Sequence, residues 1–249
     1  MSSIASPNSF DDHVPFPRAT RWSLVWRAGN APTKEMRIAL QSLCQEYWPP
    51  IYSFIRRHGA DPDDSEDLTQ AFFAHLLKNK WFAKLDPSQG RMRGFLFHSL
   101  KYFLQNARRA GKSKKRDQQR AVAMEGAESM FTREPVEHLT PDLAFHRRWI
   151  LTMIERVVEE MGREYASRDQ AAVFAAILPR LGDSSITEAV GEFEELAASL
   201  GMQPVSLRVA LSRAREIFRN KLFDEVGRTI ASEDPAEIRA ELQALLGFL

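Results

Sequence analysis

With 249 residues the chain can form one large or two small domains, and its 44% hydrophobic and 27% charged residues are those of an ordinary folded protein. No apolar run approaches the roughly 20 residues that cross a bilayer, the N-terminus lacks the apolar core of a signal peptide, and the single cysteine, Cys44, excludes an internal disulfide. A cytoplasmic protein without membrane insertion is expected. The net charge of +1 hides an uneven distribution. Between Lys101 and Arg120 lie eight bases against one acid, Asp117, and Arg208, Arg213, Arg215, Arg219 and Lys221 form a second basic set.

Residues 1–20 are rich in Ser, Pro and Asp, a composition expected to be disordered. From Glu35 a helical stripe runs through Leu40, Leu43, Cys44, Tyr47, Ile51 and Ile55. Pro49 and Pro50 are expected to kink or break it, because proline lacks the N–H and crowds the preceding turn. Cys44 lies on the stripe, which predicts a buried structural thiol. Gly59 ends the helix, and Asp63 with Glu66 predicts a capping box for the next. That acidic helix, Asp63 to Leu77, carries Leu68, Phe72, Phe73, Leu76 and Leu77 on a wide apolar face, with Asp63, Glu66, Asp67, Gln70 and Ala74 opposite. Trp81, Phe82 and Leu85 close this unit, and Asp86-Pro87 with Gly90 predicts a turn.

From Arg91 a long helix is expected to bury Leu96, Leu100, Phe103 and Ala107. Beside that stripe Phe95, His98, Tyr102, Gln105 and Arg109 form one ridge, and Lys101 and Arg108 a second. Aromatics with amides and bases alongside provide stacking faces and positive charge for single-stranded nucleic acid; Phe95 and Tyr102 as further core is the competing interpretation. Residues 113–141 are poor in apolar side chains and dense in charge, a flexible basic linker.

Beyond it, Ile150, Met153, Ile154, Val157 and Met161 mark one amphipathic helix, and Val173, Phe174, Ile177 and Leu178 another. The stretch Phe193 to Leu222 predicts a short helix, a turn at Gly201 and a second helix from about Pro204. Leu207, Ala210, Leu211, Ala214 and Phe218 point inward, and Arg208, Ser212, Arg215 and Arg219 outward. This is either a helix-turn-helix with a basic recognition helix or an ordinary helical hairpin with a charged face. The final helix (Ile238, Leu242, Leu245, Leu246) either covers the second domain or binds a partner. There is no Gly-rich phosphate loop or nucleophile motif, and the six histidines show no ligand spacing. No cofactor, metal site or enzymatic activity is expected.

The order EDLTQAFFAHLL, DPSQGRMRGFLFHSLKYFLQNARR, a basic linker and LGMQPVSLRVALSRAREIF resembles bacterial sigma factors of the extracytoplasmic-function group. The resemblance covers roughly Leu40 to Arg116 and Leu143 to Leu222. It implies an all-α fold of two helical domains: a sigma domain 2-like bundle over 21–112 and a sigma domain 4-like helix-turn-helix over 142–230. The 113–141 linker joins them, and 231–249 forms a C-terminal helical extension. It implies docking on core RNA polymerase through Glu66, Asp67, Gln70 and Phe73, on the β′ clamp coiled coil, with the β flap as a further contact. Glu66 and Asp67 also suit the helix N-terminus through its dipole. It implies capture of the melted minus-ten element by Arg93, Phe95, Lys101, Tyr102, Gln105, Asn106 and Arg109. The duplex minus-thirty-five element falls to Gln203, Ser206, Arg208, Ser212 and Arg213, with Arg215 and Arg219 on phosphate. Promoter DNA and polymerase are thus the implied partners, and an anti-sigma protein is a further candidate. Phe95 stands where a tryptophan is common in the family, and Tyr102 where an asparagine is common. The alternative is an autonomous helix-turn-helix transcriptional regulator whose N-terminal helical domain serves for interaction.

Overall fold

The computed structural model describes residues 33–78, 91–111, 139–182, 190–230 and 232–249. Among these residues there are eight α-helices and one short 3-10 turn, and no strand. The helices are α1 (Thr33–Arg57), α2 (Pro62–Lys78), α3 (Met92–Gly111), α4 (Pro141–Ala166), α5 (Ala171–Ile177), α6 (Val190–Ser199), α7 (Pro204–Ile230) and α8 (Pro235–Leu246). The all-α expectation holds. Residues 1–20, nearly all of the 113–141 linker, and Trp81, Phe82, Leu85 and the Asp86-Pro87 turn lie outside the described residues.

Helix α1 continues through Pro49 and Pro50, so of the expected kink or break the break does not occur. Each proline forfeits an N–H donor and crowds the turn before it, at roughly 3 kcal/mol or more inside a helix. Burial outweighs that cost: Tyr47, Trp48, Ile51, Tyr52, Phe54 and Ile55 are all in the core. Trp48 stacks on Phe73 of α2 at 6.0 Å, and Tyr47 on Trp149 of α4 at 4.8 Å. Fixing α1 from two sides leaves the chain no route around the prolines.

Helix α1 closes with Gly59 at φ +90°. The next helix begins one residue earlier than expected and is capped differently. Asp61, not Asp63, is the cap: its Oδ1 accepts from the Asp64 N–H at 2.7 Å, with Pro62 in the first helical position. Thr140 and Asp234 cap α4 and α8 in the same manner, accepting from Leu143 and Ala236.

Helices α1 and α4 pack along one another, and α7 lies against α4. Phe145 of α4 is fully buried where three helices meet, 6.2 Å from Phe54 of α1 and 5.1 Å from Phe97 of α3. The segments on either side of the linker therefore share one hydrophobic core in this arrangement. Polar ties run along its rim. Arg156 of α4 reaches Glu46 of α1 at 3.4 Å and Glu225 of α7 at 2.8 Å. Lys221 of α7 donates to Glu160 and Glu164 of α4 at 2.6 and 2.7 Å. Helix α8 crosses α7 at Gly227, where a Cβ would stand 3.0 Å from the Ile238 side chain, so only glycine allows this approach without a shift.

Cys44 is half-buried beside this core, and burial pushes its thiol up to about 11. A protonated, sheltered sulfur is a structural one.

Candidate nucleic-acid interface

Helix α2 is built with one face in the core and one in solvent. Ser65, Thr69, Phe72, Phe73 and Leu76 are buried, Asp63, Asp67, Ala71 and Ala74 are exposed, and Glu66 and Gln70 are half-buried. Three of the four candidate docking residues thus share an accessible acidic and amide surface. Phe73 does not. It is a core residue stacked on Trp48, because its position falls on the same stripe as Phe72 and Leu76.

Helix α3 buries Met92, Leu96, Leu100 and Leu104, with Phe97 beside them. The expected ridge stands on the other side: His98, Tyr102, Gln105 and Arg109 are exposed, and Tyr102 is 53% accessible despite its large apolar ring. Asn106 is half-buried, and Phe95 packs partly against the core, so the competing core interpretation holds for Phe95 and not for Tyr102. Lys101 pairs with Asp142 of α4 at 2.6 Å and lies 4.4 Å over the Phe97 ring. Both charged groups of this pair are exposed, so the contact is worth little and is easily exchanged for another anion.

Arg93 is placed differently from the expectation. It spends Nε and Nη2 on the Glu241 carboxylate of α8, at 3.2 and 3.0 Å, and Nη1 on His146 Nδ1 at 3.0 Å. Its guanidinium also lies 5.5 Å over Phe248. Arg91 joins the same carboxylate, and Glu241 is 1% exposed. The C-terminal helix is thereby latched to the start of α3, and Arg147 adds a hydrogen bond to the Leu249 carbonyl at 3.1 Å. Arg93 is thus part of an internal closure, not of the exposed ridge. Sequence periodicity missed Arg91, His146, Glu241 and Phe248. The one available signal was an acid at 241 in register with the apolar positions Ile238 and Leu245.

His146 sits between the Phe97 and Phe248 rings, each 4.8 Å away. Arginine can only donate, so Nδ1 must accept and the imidazole is held neutral. Burial first, then the Arg93 guanidinium, lowers its pKa from the usual 6.5 to about 4, with Asp142 pulling weakly upward and Lys101 downward. Between these values the unfolded chain binds a proton that the folded chain does not. Stability is therefore lost as pH falls from about 6.5 toward 4, and this contribution levels off below that. Urea midpoints at pH 7 and pH 5 should differ less in a His146→Gln variant than in the parent; equal pH slopes would remove His146 as the titrating group.

Helices α6 and α7 form the second surface. The turn between them passes through Gly201 at φ +65°, and the Met202 N–H closes it onto the Ala197 carbonyl at 2.9 Å. Phe193, Ala197, Leu207, Leu211 and Ala214 are buried and belong to the hydrophobic core, as both a helix-turn-helix and an ordinary helical hairpin require. Gln203, Ser206, Arg208, Ser212, Arg213 and Arg219 are exposed. Arg215 is not on this outer surface. It is half-buried and donates twice to the Arg180 carbonyl, at 3.3 and 2.8 Å, tying α7 to the 3-10 turn.

Residues 43–116 match the family model of Sigma-70 region 2. The sigma region 2 match covers α2, α3 and the second half of α1, which are the elements that carry the acidic surface and the aromatic ridge. It supports a sigma-70 family factor, and a sigma region 2 implies binding to core RNA polymerase and promoter DNA. No curated protein and no solved structure matches the chain. Among the described residues no helix is long and apolar enough to cross a membrane, and no group of three His, Cys, Asp or Glu could hold a metal ion.

Proposed function

We propose that the chain is a promoter-specificity subunit of the extracytoplasmic-function type, acting in the cytoplasm and not as an enzyme. In this reading residues 21–112 act as sigma domain 2 and 142–230 as sigma domain 4. The observation that carries it is the coincidence of the sigma region 2 match with the exposed ridge on α3, where Tyr102, Gln105 and Arg109 stand together. Such a ridge suits an unpaired strand. Tyr102 offers a stacking face worth roughly 1–3 kcal/mol per base, and separating strands costs a few kcal/mol per base, so protein contacts can hold a melted element without nucleotide hydrolysis.

Glu66, Asp67 and Gln70 on α2 would dock on a basic helical hairpin of the polymerase, since opposite charges steer and fix such a contact. The exposed side of α7 would read the duplex element through Gln203, Ser206, Arg208, Ser212 and Arg213, with Arg219 on phosphate. An arginine paired bidentately to guanine discriminates by about 1–3 kcal/mol, whereas a phosphate contact adds affinity without sequence choice.

The test is core-polymerase binding by the purified chain, followed by run-off transcription from its own upstream region. The parent should bind core polymerase and give promoter-dependent transcripts. The Asp67→Arg, Gln70→Ala variant should fold normally and lose core binding at least a hundredfold, or about 2.7 kcal/mol. A parent that ignores core polymerase but binds free duplex tightly would instead be an autonomous regulator.

A further inference from the structure

Two large apolar side chains stand in water at the start of α7. Val205 is 68% exposed and Val209 43%. At 3.6 residues per turn, Leu207, Leu211 and Ala214 define the buried side of α7, and Val205, Val209 and Ser212 point directly away from it. Exposed Arg208 and Arg219 flank this line on one side and exposed Arg213 on the other. Valine at an exposed helical position lowers helix stability relative to alanine or a long polar residue, because its branched Cβ is restricted against the preceding turn. Isolated surface valines are common. Two of them one turn apart, centred between arginines, make a specific pattern: an apolar line with cationic rims.

We propose that Val205 and Val209 are specificity residues that read thymine through its 5-methyl group. The proposal rests on the reading of α7 as a duplex-binding helix. In the major groove the thymine 5-methyl is the one methyl group on a base edge, set among hydrogen-bond donors and acceptors. A helix seated in that groove turns its outermost line toward the bases. The apolar line then meets base edges, the longer Arg208 and Arg213 beside it reach the neighbouring bases, and Arg219, farther along the helix, meets phosphate. Residues at the N-terminal end of a recognition helix are those that reach bases, and Val205 is the second residue of α7. The two valines are about 6 Å apart along the helix axis, close to two base steps of 3.4 Å. They therefore address two thymines within about two steps of each other.

The discriminating probe is uracil, which lacks only that methyl. Duplexes are selected from a randomised library by the full chain with core polymerase, and by the chain alone in parallel. Each selected thymine is then replaced in turn by deoxyuridine. For the parent, two replacements within about two steps should each weaken binding about fourfold, the equivalent of one buried methyl-sized group. Val205→Ser should bind more weakly and lose its response at one of these positions, and Val209→Ser at the other. Both sites are exposed, and unchanged thermal unfolding confirms that the variants fold. A parent indifferent to uracil at every position overturns the proposal, as does a consensus without such thymines. Serine variants that weaken core binding but keep the uracil response overturn it too, and make the line a protein contact. An Arg208→Ala, Arg213→Ala variant separates the levels. If it abolishes duplex binding while uracil is silent, only the valine proposal falls; if duplex binding survives, the DNA-reading role of α7 falls with it.

Discussion

Replacing Glu241 by leucine should lower the melting temperature by about 6–12 °C. The carboxylate is 1% exposed and accepts from both Arg91 and Arg93. Removing one partner of a buried ion pair leaves the other charge uncompensated, at about 3–5 kcal/mol. The two arginines differ in how far they can recover. Arg91 is 51% exposed and can turn into water, whereas Arg93 is 13% exposed and is held under Phe248 and against His146. The lower end, about 3 kcal/mol, is therefore expected, and each kcal/mol shifts the midpoint of a chain of this length by about 2–4 °C. A second variant isolates the cause. Arg93→Met combined with Glu241→Leu removes charge from both sides and should recover most of the loss, since a buried pair exchanged for apolar groups is often close to neutral. Calorimetry of both variants decides the matter: if Glu241→Leu melts with the parent, the carboxylate does not hold α8 in place.

The second large effect lies at Phe145, and Phe145→Ala should cost about 3–5 kcal/mol. The ring is fully buried and contacts Phe54, Phe97 and Trp149, so truncation opens a cavity among α1, α3 and α4 that the surrounding edge-on and tilted rings cannot fill by rotation. Against a total stability of 5–15 kcal/mol this is a large fraction. It also distinguishes two ways of dividing the chain. If the segments on either side of the linker unfold as one body, fluorescence and circular dichroism should shift together to one lower midpoint, with an unchanged denaturant slope. Should part of the helical signal still melt at the parent's temperature, α6 and α7 would be an independent unit.

Much of this architecture is legible in residue periodicity because apolar stripes are read by burial, and burial is what forms the helices. The stripes of α3 and α7 follow the expected registers through Leu96 and Leu100, and through Leu207, Leu211 and Ala214. What escapes the stripe is decided by tertiary contact. The prolines of α1 are tolerated because Tyr47 and Trp48 are each fixed by an aromatic partner distant in sequence. Asp61 caps α2 because Pro62 can open a helix, which moves the start ahead of the Asp63 and Glu66 pair. Phe73 and Arg93 stand in an order of residue types that resembles a known family, yet their side chains turn to Trp48 and Glu241. Buried charges such as Glu225 and Glu241 sit in register with apolar neighbours, and only the partner helix, through Arg156 and Arg93, reveals why each is stable there. Val205 and Val209 show the opposite case, apolar residues on the solvent side, where only polar and charged residues were expected to matter.

The state of Cys44 makes the chain unusually convenient for spectroscopy. With its proton retained up to about pH 11 and its sulfur half-sheltered, it presents little thiolate to an alkylating dye at neutral pH. A cysteine introduced at an exposed site such as Gln105 or Ser212 would take the label first. The native thiol then contributes a low background and need not be replaced, so dyes on α3 and on α7 can follow each surface separately as polymerase and promoter are added.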